Sequence, residues 1–65
     1  MGDILMTVRE ILKELRTDGW VEFQVKGSHI QLKHPVKSGK VTVPNHSGDL
    51  PRGTLNSIYR QAGLK

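Results

Sequence analysis

The 65-residue chain has room for one domain, and a chain this short buries only about 60% of the surface it exposes when unfolded, so its core must be simple. Ten Lys and Arg against six Asp and Glu give a net charge of +4, which favours a polyanionic partner such as nucleic acid, phosphate or an acidic protein surface. The absence of cysteine excludes disulfide staples, thiolate zinc sites and cysteine nucleophiles, and it fits a reducing cytoplasm.

In chain order, the longest apolar run is Ile4 to Met6, far below the ~20 residues of a membrane span. Asp3 denies the start the basic region of a signal peptide, and Met6 stands where myristoylation needs Ser or Thr. A soluble, unanchored protein is expected. Val8, Ile11, Leu12 and Leu15 then fall at helical spacing, with Thr7 and Glu10 as a capping box and Gly19 as the stop, which predicts a helix over Val8 to Asp18. Ile4 and Leu5 continue the apolar stripe without a required role.

Trp20 to Lys26 reads as a strand in which Val21, Phe23 and Val25 face the core and Glu22, Gln24 and Lys26 face water. Gly27-Ser28 is a two-residue hairpin signal, and beyond it Ile30 and Leu32 face inward while His29, Gln31 and Lys33 face outward. His34 falls in the inward phase at the strand end, either capping the core edge or fraying into the turn before Pro35. After a Ser38-Gly39 turn, Val41 and Val43 alternate with Lys40 and Thr42 in a third strand that Pro44 stops. A loop over 45–51 leads to a second helix with its stripe at Leu55, Ile58, Tyr59 and Ala62.

The order helix, strand, strand, strand, helix predicts an α+β fold in two layers, an antiparallel three-stranded sheet with both helices on one face and the other face wet. That wet face is polar and basic, and it carries one imidazole, His29. A solvated surface and an RNA or phosphate site both fit this pattern. His29 stands out by its place beside Lys26 and Lys33, after a turn whose N–H groups can approach a phosphate. The three histidines do not form a metal site, because strand parity separates His29 from His34 and His46 lies in a loop. Gly39-Lys40 lacks the Ser or Thr and the upstream glycine of a phosphate-cradling P-loop, and no acid is placed to make a triad of Ser28 and His29.

Histidine with lysines is sufficient for one reaction class. RNA supplies its own nucleophile, the 2′-hydroxyl, so a protein need only take that proton, offset charge on the phosphorus oxygens and protonate the leaving 5′-oxygen. On residues alone, a non-catalytic RNA-binding module fits the same face, and a pure protein-interaction module is the third class.

The segments GSHIQLKHP (Gly27 to Pro35), VTVPNHSGDL (Val41 to Leu50) and GTLNSIYRQAGL (Gly53 to Leu64), behind a short helix ending in DGW, closely resemble the HicA toxins of bacterial and archaeal toxin–antitoxin pairs. The resemblance covers nearly the whole chain from Thr7, so residues 1–65 read as a single HicA-like domain with 1–6 as a possible extension outside the similarity. It implies a messenger RNA endoribonuclease that inhibits translation and growth, with a fold similar to double-stranded RNA-binding domains, held inactive by a HicB-type antitoxin. It also implies that His29 is the catalytic histidine, with Gly27 and Ser28 shaping the turn before it. Lys26, Ser28, Gln31, Lys33 and Lys40 are the candidate RNA contacts on the wet face. His46 recurs in the family segment with either a loop-structuring or a catalytic role. Neither a metal nor any other cofactor is expected, and the partners are the antitoxin and RNA, with no membrane.

Overall fold

The computed structural model describes residues 6–64, so the expectations for Ile4, Leu5 and the remainder of the N-terminal extension lie outside the described residues. The elements are α1 (Val8–Thr17), β1 (Val21–Lys26), β2 (His29–Lys33), β3 (Lys40–Pro44) and α2 (Arg52–Gln61). The sheet is antiparallel in the order β1-β2-β3, as short turns between consecutive strands require.

Helix α1 starts where the capping box predicts. Glu10 donates its N–H to the Thr7 hydroxyl at 3.2 Å, and Thr7 returns its own N–H to the Glu10 carboxylate at 2.9 Å. That backbone bond, then the Thr7 hydroxyl, hold the Glu10 carboxyl below its ordinary pKa. The helix ends in a Schellman motif: Gly19 N–H bonds Arg16 C=O and Trp20 N–H bonds Leu15 C=O, both at 3.0 Å, with Gly19 at φ +108°. Helix α2 closes the same way, through Gly63 to Arg60 and Leu64 to Tyr59. Glycine placed one residue past each C-cap, Asp18 and Ala62, thus turns the chain back.

The core forms between the helices and one sheet face. Val8, Ile11, Leu12 and Leu15 of α1 and Leu55 and Ile58 of α2 pack with Ile30, Leu32, Val41 and Val43, and Trp20 and Leu50 join the same cluster. Each such side chain contributes about 1.5–3 kcal/mol on full burial. Leu50 is drawn in because its N–H bonds Met6 C=O at 2.8 Å, beside a bridge between Thr7 and Asp49. The Tyr59 hydroxyl joins the two helices by donating to the Glu14 carboxylate at 3.0 Å, and burial, then this acceptor, raise its pKa. Edge strand β3 is closed in part by α2, since Thr42 N–H bonds the Gln61 side chain at 3.0 Å.

Strand β1 departs from the expected alternation. Val21, Phe23 and Val25, which the alternation directs to the core, are 62%, 42% and 61% exposed. The cause is a bulge: Glu22 pairs with Leu32 and Gln24 with Gln31, which leaves Phe23 as an extra residue without a partner. N-terminal to the bulge the phase inverts. Val21 lies opposite Lys33 on the wet face, whereas Glu22, expected to face water, lies on the helix side and pairs with Arg16 of α1. Val25 keeps the core phase opposite Ile30 but stays uncovered, whereas Trp20, just before the strand, is fully buried in the core cluster. No helix among the described residues is long and apolar enough to cross a membrane.

Candidate active site

The register assembles the wet face row by row. Lys26 and His29 are direct cross-strand partners on either side of the Gly27-Ser28 turn, with Gly27 at φ +60° in the first central position, as a type II′ hairpin turn needs. His29 pairs on its other side with Pro44 of β3. Gln31 lies between Gln24 and Thr42, and Lys33 lies between Val21 and Lys40. Direct partners share a face, so Lys26, His29, Gln31, Lys33 and Lys40 stand together as expected, with Ser28 exposed in the turn at the same end.

The His29 ring is exposed, and among the described residues no carboxylate orients it. With Glu22 moved to the helix side by the bulge, the described residues of this face include three lysines and no acid. Lys33 and Lys40 are directly opposed like charges, an arrangement that costs stability unless an anion lies between them. At the His29 end, Asn45 N–H bonds Ser28 C=O at 2.6 Å, which ties the loop containing exposed His46 to the hairpin. The structure therefore brings His46 to the His29 end of the sheet. Among the described residues, no group of three histidine or acidic side chains can hold a metal ion.

His34 has a different occupation. Its Nε2 lies 2.7 Å from Asp18 C=O, and its Nδ1 accepts the N–H groups of Val36 and Lys37, both at 3.0 Å. These partners assign the neutral ring with the proton on Nε2, since a carbonyl only accepts and a backbone N–H only donates. The ring meets Trp20 edge-on with centroids 5.2 Å apart, and a Cβ on Gly19 would sit 2.7 Å from Nε2. Lys37 adds bonds to the Asp18 carboxylate at 2.6 Å and to Ala62 C=O at 3.0 Å. The Lys37 bond is the main cause of the lowered Asp18 pKa. The DGW and HP segments thus form one buttress joining the ends of α1, β2 and α2, and the choice left open for His34 resolves to the core edge.

Phe23 was missed as a surface residue. Its ring lies under the Lys33 ammonium, 4.5 Å from nitrogen to centroid, which places it on the wet face. Nothing in the period-two pattern marks the bulge that puts it there.

Two comparisons bear on identity. A family model described as the HicA toxin of bacterial toxin–antitoxin systems matches residues 8–64, from the first residue of α1 through the Schellman turn after α2. No curated protein matches the chain. The matched span contains the buttress, the hairpin and the whole basic face, so the chain belongs to the HicA toxin family of bacterial toxin–antitoxin systems.

Proposed function

We propose that this toxin is an endoribonuclease that cleaves messenger RNA through the RNA's own 2′-hydroxyl, with His29 transferring the proton, and so arrests translation and growth. The observation that carries the reading is the exposed imidazole of His29 at the head of a sheet face that bears Lys26, Lys33 and Lys40 and, among the described residues, no carboxylate.

In the proposed reaction the His29 imidazole accepts the 2′-hydroxyl proton as the 2′-oxygen attacks the adjacent phosphorus. The P–O5′ bond breaks, the 5′-oxygen takes a proton from solvent water, a 2′,3′-cyclic phosphate remains on the upstream fragment, and the His29 imidazolium gives its proton back to water. An imidazole suits this work because its ordinary pKa of about 6.5 lies close to the working pH. Lysines on the same face offset the charge that builds on the phosphorus oxygens, and the Gly27-Ser28 turn holds His29 at the rim where an RNA backbone can reach it. The toxin's partner is an antitoxin; a HicB-type protein that covers this face with acidic or polar groups would inhibit by excluding RNA.

The test is to incubate the purified toxin with end-labelled RNA in excess chelator and to analyse the new 3′ ends. Cyclic phosphate or its hydrolysis product is expected. Intact RNA that nevertheless binds the protein would replace this reading with a non-catalytic RNA-binding module.

A further inference from the structure

The chain has one Trp, one Tyr and one Phe. Trp20 is buried in the core and Tyr59 is pinned between the helices, but Phe23 is 42% exposed on the sheet face that carries His29. Single exposed apolar residues are ordinary on protein surfaces. Three features set this one apart. The bulge in β1 aims it away from a small core that would gain from a phenyl ring, and bulges recur beside active sites because they re-aim side chains. The same irregularity moves the Glu22 carboxylate to the other face, so among the described residues the charged side chains on the ring's face are all cationic. Finally, the Lys33 ammonium rests on the ring, and an exposed cation–π contact of this kind is a small gain that a stronger ligand can displace.

Resting on the reading of this face as an RNA site, we propose that Phe23 is a stacking platform for an unpaired nucleobase and that the toxin's substrate is single-stranded RNA at the point of cleavage. A base in a duplex keeps both faces stacked on its neighbours and cannot lie on a side chain, whereas an unpaired base can. On binding, Lys33 leaves the ring for the phosphate of the same nucleotide, where it also meets Lys40, its cross-strand partner. The anion relieves the Lys33 and Lys40 repulsion while the base takes the vacated ring face. Four residues of strand separate Lys33 from His29, about 14 Å. The stacked nucleotide is therefore not the one cleaved but one further along the strand, and Phe23 positions the RNA rather than taking part in the chemistry.

The experiment uses His29→Ala as the parent, so that RNA binds without turnover, and compares it with His29→Ala carrying Phe23→Leu or Phe23→Trp. The probes are a short single-stranded oligoribonucleotide and the same sequence annealed to its complement. Phe23→Leu should weaken single-strand binding roughly 5- to 150-fold, the worth of one base–aromatic stack, and leave the thermal midpoint within a few degrees of the parent because the ring is outside the core. Phe23→Trp should keep the affinity and show fluorescence quenching by the bound strand, which buried Trp20 cannot give. The duplex should bind more weakly than the single strand. Equal single-strand affinity of the Leu variant, or tighter binding of the duplex, overturns the proposal while leaving RNA cleavage by His29 intact. Loss of antitoxin binding in Phe23→Leu with RNA binding unchanged overturns it in favour of a protein contact. If the parent binds neither RNA at low salt, the RNA reading of the face fails together with it.

Discussion

Two histidines five residues apart, His29 and His34, divide the work of this chain between surface and scaffold. Strand parity separates them in the sequence, and burial and bonding separate them in the fold: His29 is exposed and unoriented, while His34 bonds Asp18, Val36 and Lys37 and packs on Trp20. Replacing His34 with Ala should cost about 1–3 kcal/mol, because it removes the partner of the Asp18 C=O and of the Val36 and Lys37 N–H groups at the core edge, and lower the thermal midpoint by several degrees. Gly19→Ala should destabilise at least as much, since it combines a positive φ with a 2.7 Å approach to the same ring. Thermal unfolding checks both, and RNA cleavage by the folded fraction should stay near the parental rate. The parity of these residues and the capping box of Thr7 and Glu10 were legible because they depend on neighbours in sequence. The task of His34 was not, because its acceptor is the carbonyl of Asp18, sixteen residues away.

At the scale of elements, the helices and β2 and β3 follow their periodicity, and β1 does not. A bulge leaves composition and alternation untouched and changes only which residue meets which partner, so the inversion at Val21, Glu22 and Phe23 could not be read from the strand alone. Its physical support is tertiary: Arg16 of α1 holds Glu22 on the helix side, and Trp20 already occupies the core. The junctions between elements carry a pH dependence. Bonding to Lys37 lowers the Asp18 pKa in the folded state, so the unfolded chain binds more protons between the two values and stability rises with pH across that window. The contribution is present above the ordinary carboxylate value of about 4 and is lost as pH falls through the lower folded value; the capped Glu10 behaves in the same sense. Thermal midpoints measured through this acidic range should therefore fall with pH, and Lys37→Met should flatten the fall. An unchanged slope in that variant would show that the bond does not couple folding to ionisation.

For the whole molecule, the two-layer arrangement leaves one sheet face bare, and the charge distribution makes it cationic. The layering and the outward positions of Lys26, His29, Gln31, Lys33 and Lys40 were legible because hydrophobic phase in β2, β3 and the end of β1 beyond the bulge fixes them; the shift of Glu22 away from that face and the presence of Phe23 on it were not, since both come from the bulge. If this face is shared by substrate and antitoxin, the two should exclude one another. RNA affinity of the His29→Ala toxin should then disappear at saturating antitoxin, and RNA binding that persists at full occupancy would place the antitoxin elsewhere, acting through a change in the site.

The proposed role of His29 is tested most directly by the rate at which the purified His29→Ala toxin cleaves RNA in chelator, relative to the parent at equal folded concentration. If His29 transfers a proton in the transition state, its removal should slow cleavage by about 10²- to 10⁴-fold, while an exposed position changes stability by no more than about 0.5 kcal/mol. A His29→Ala toxin that cuts RNA at the parental rate would contradict the assignment of the catalytic face.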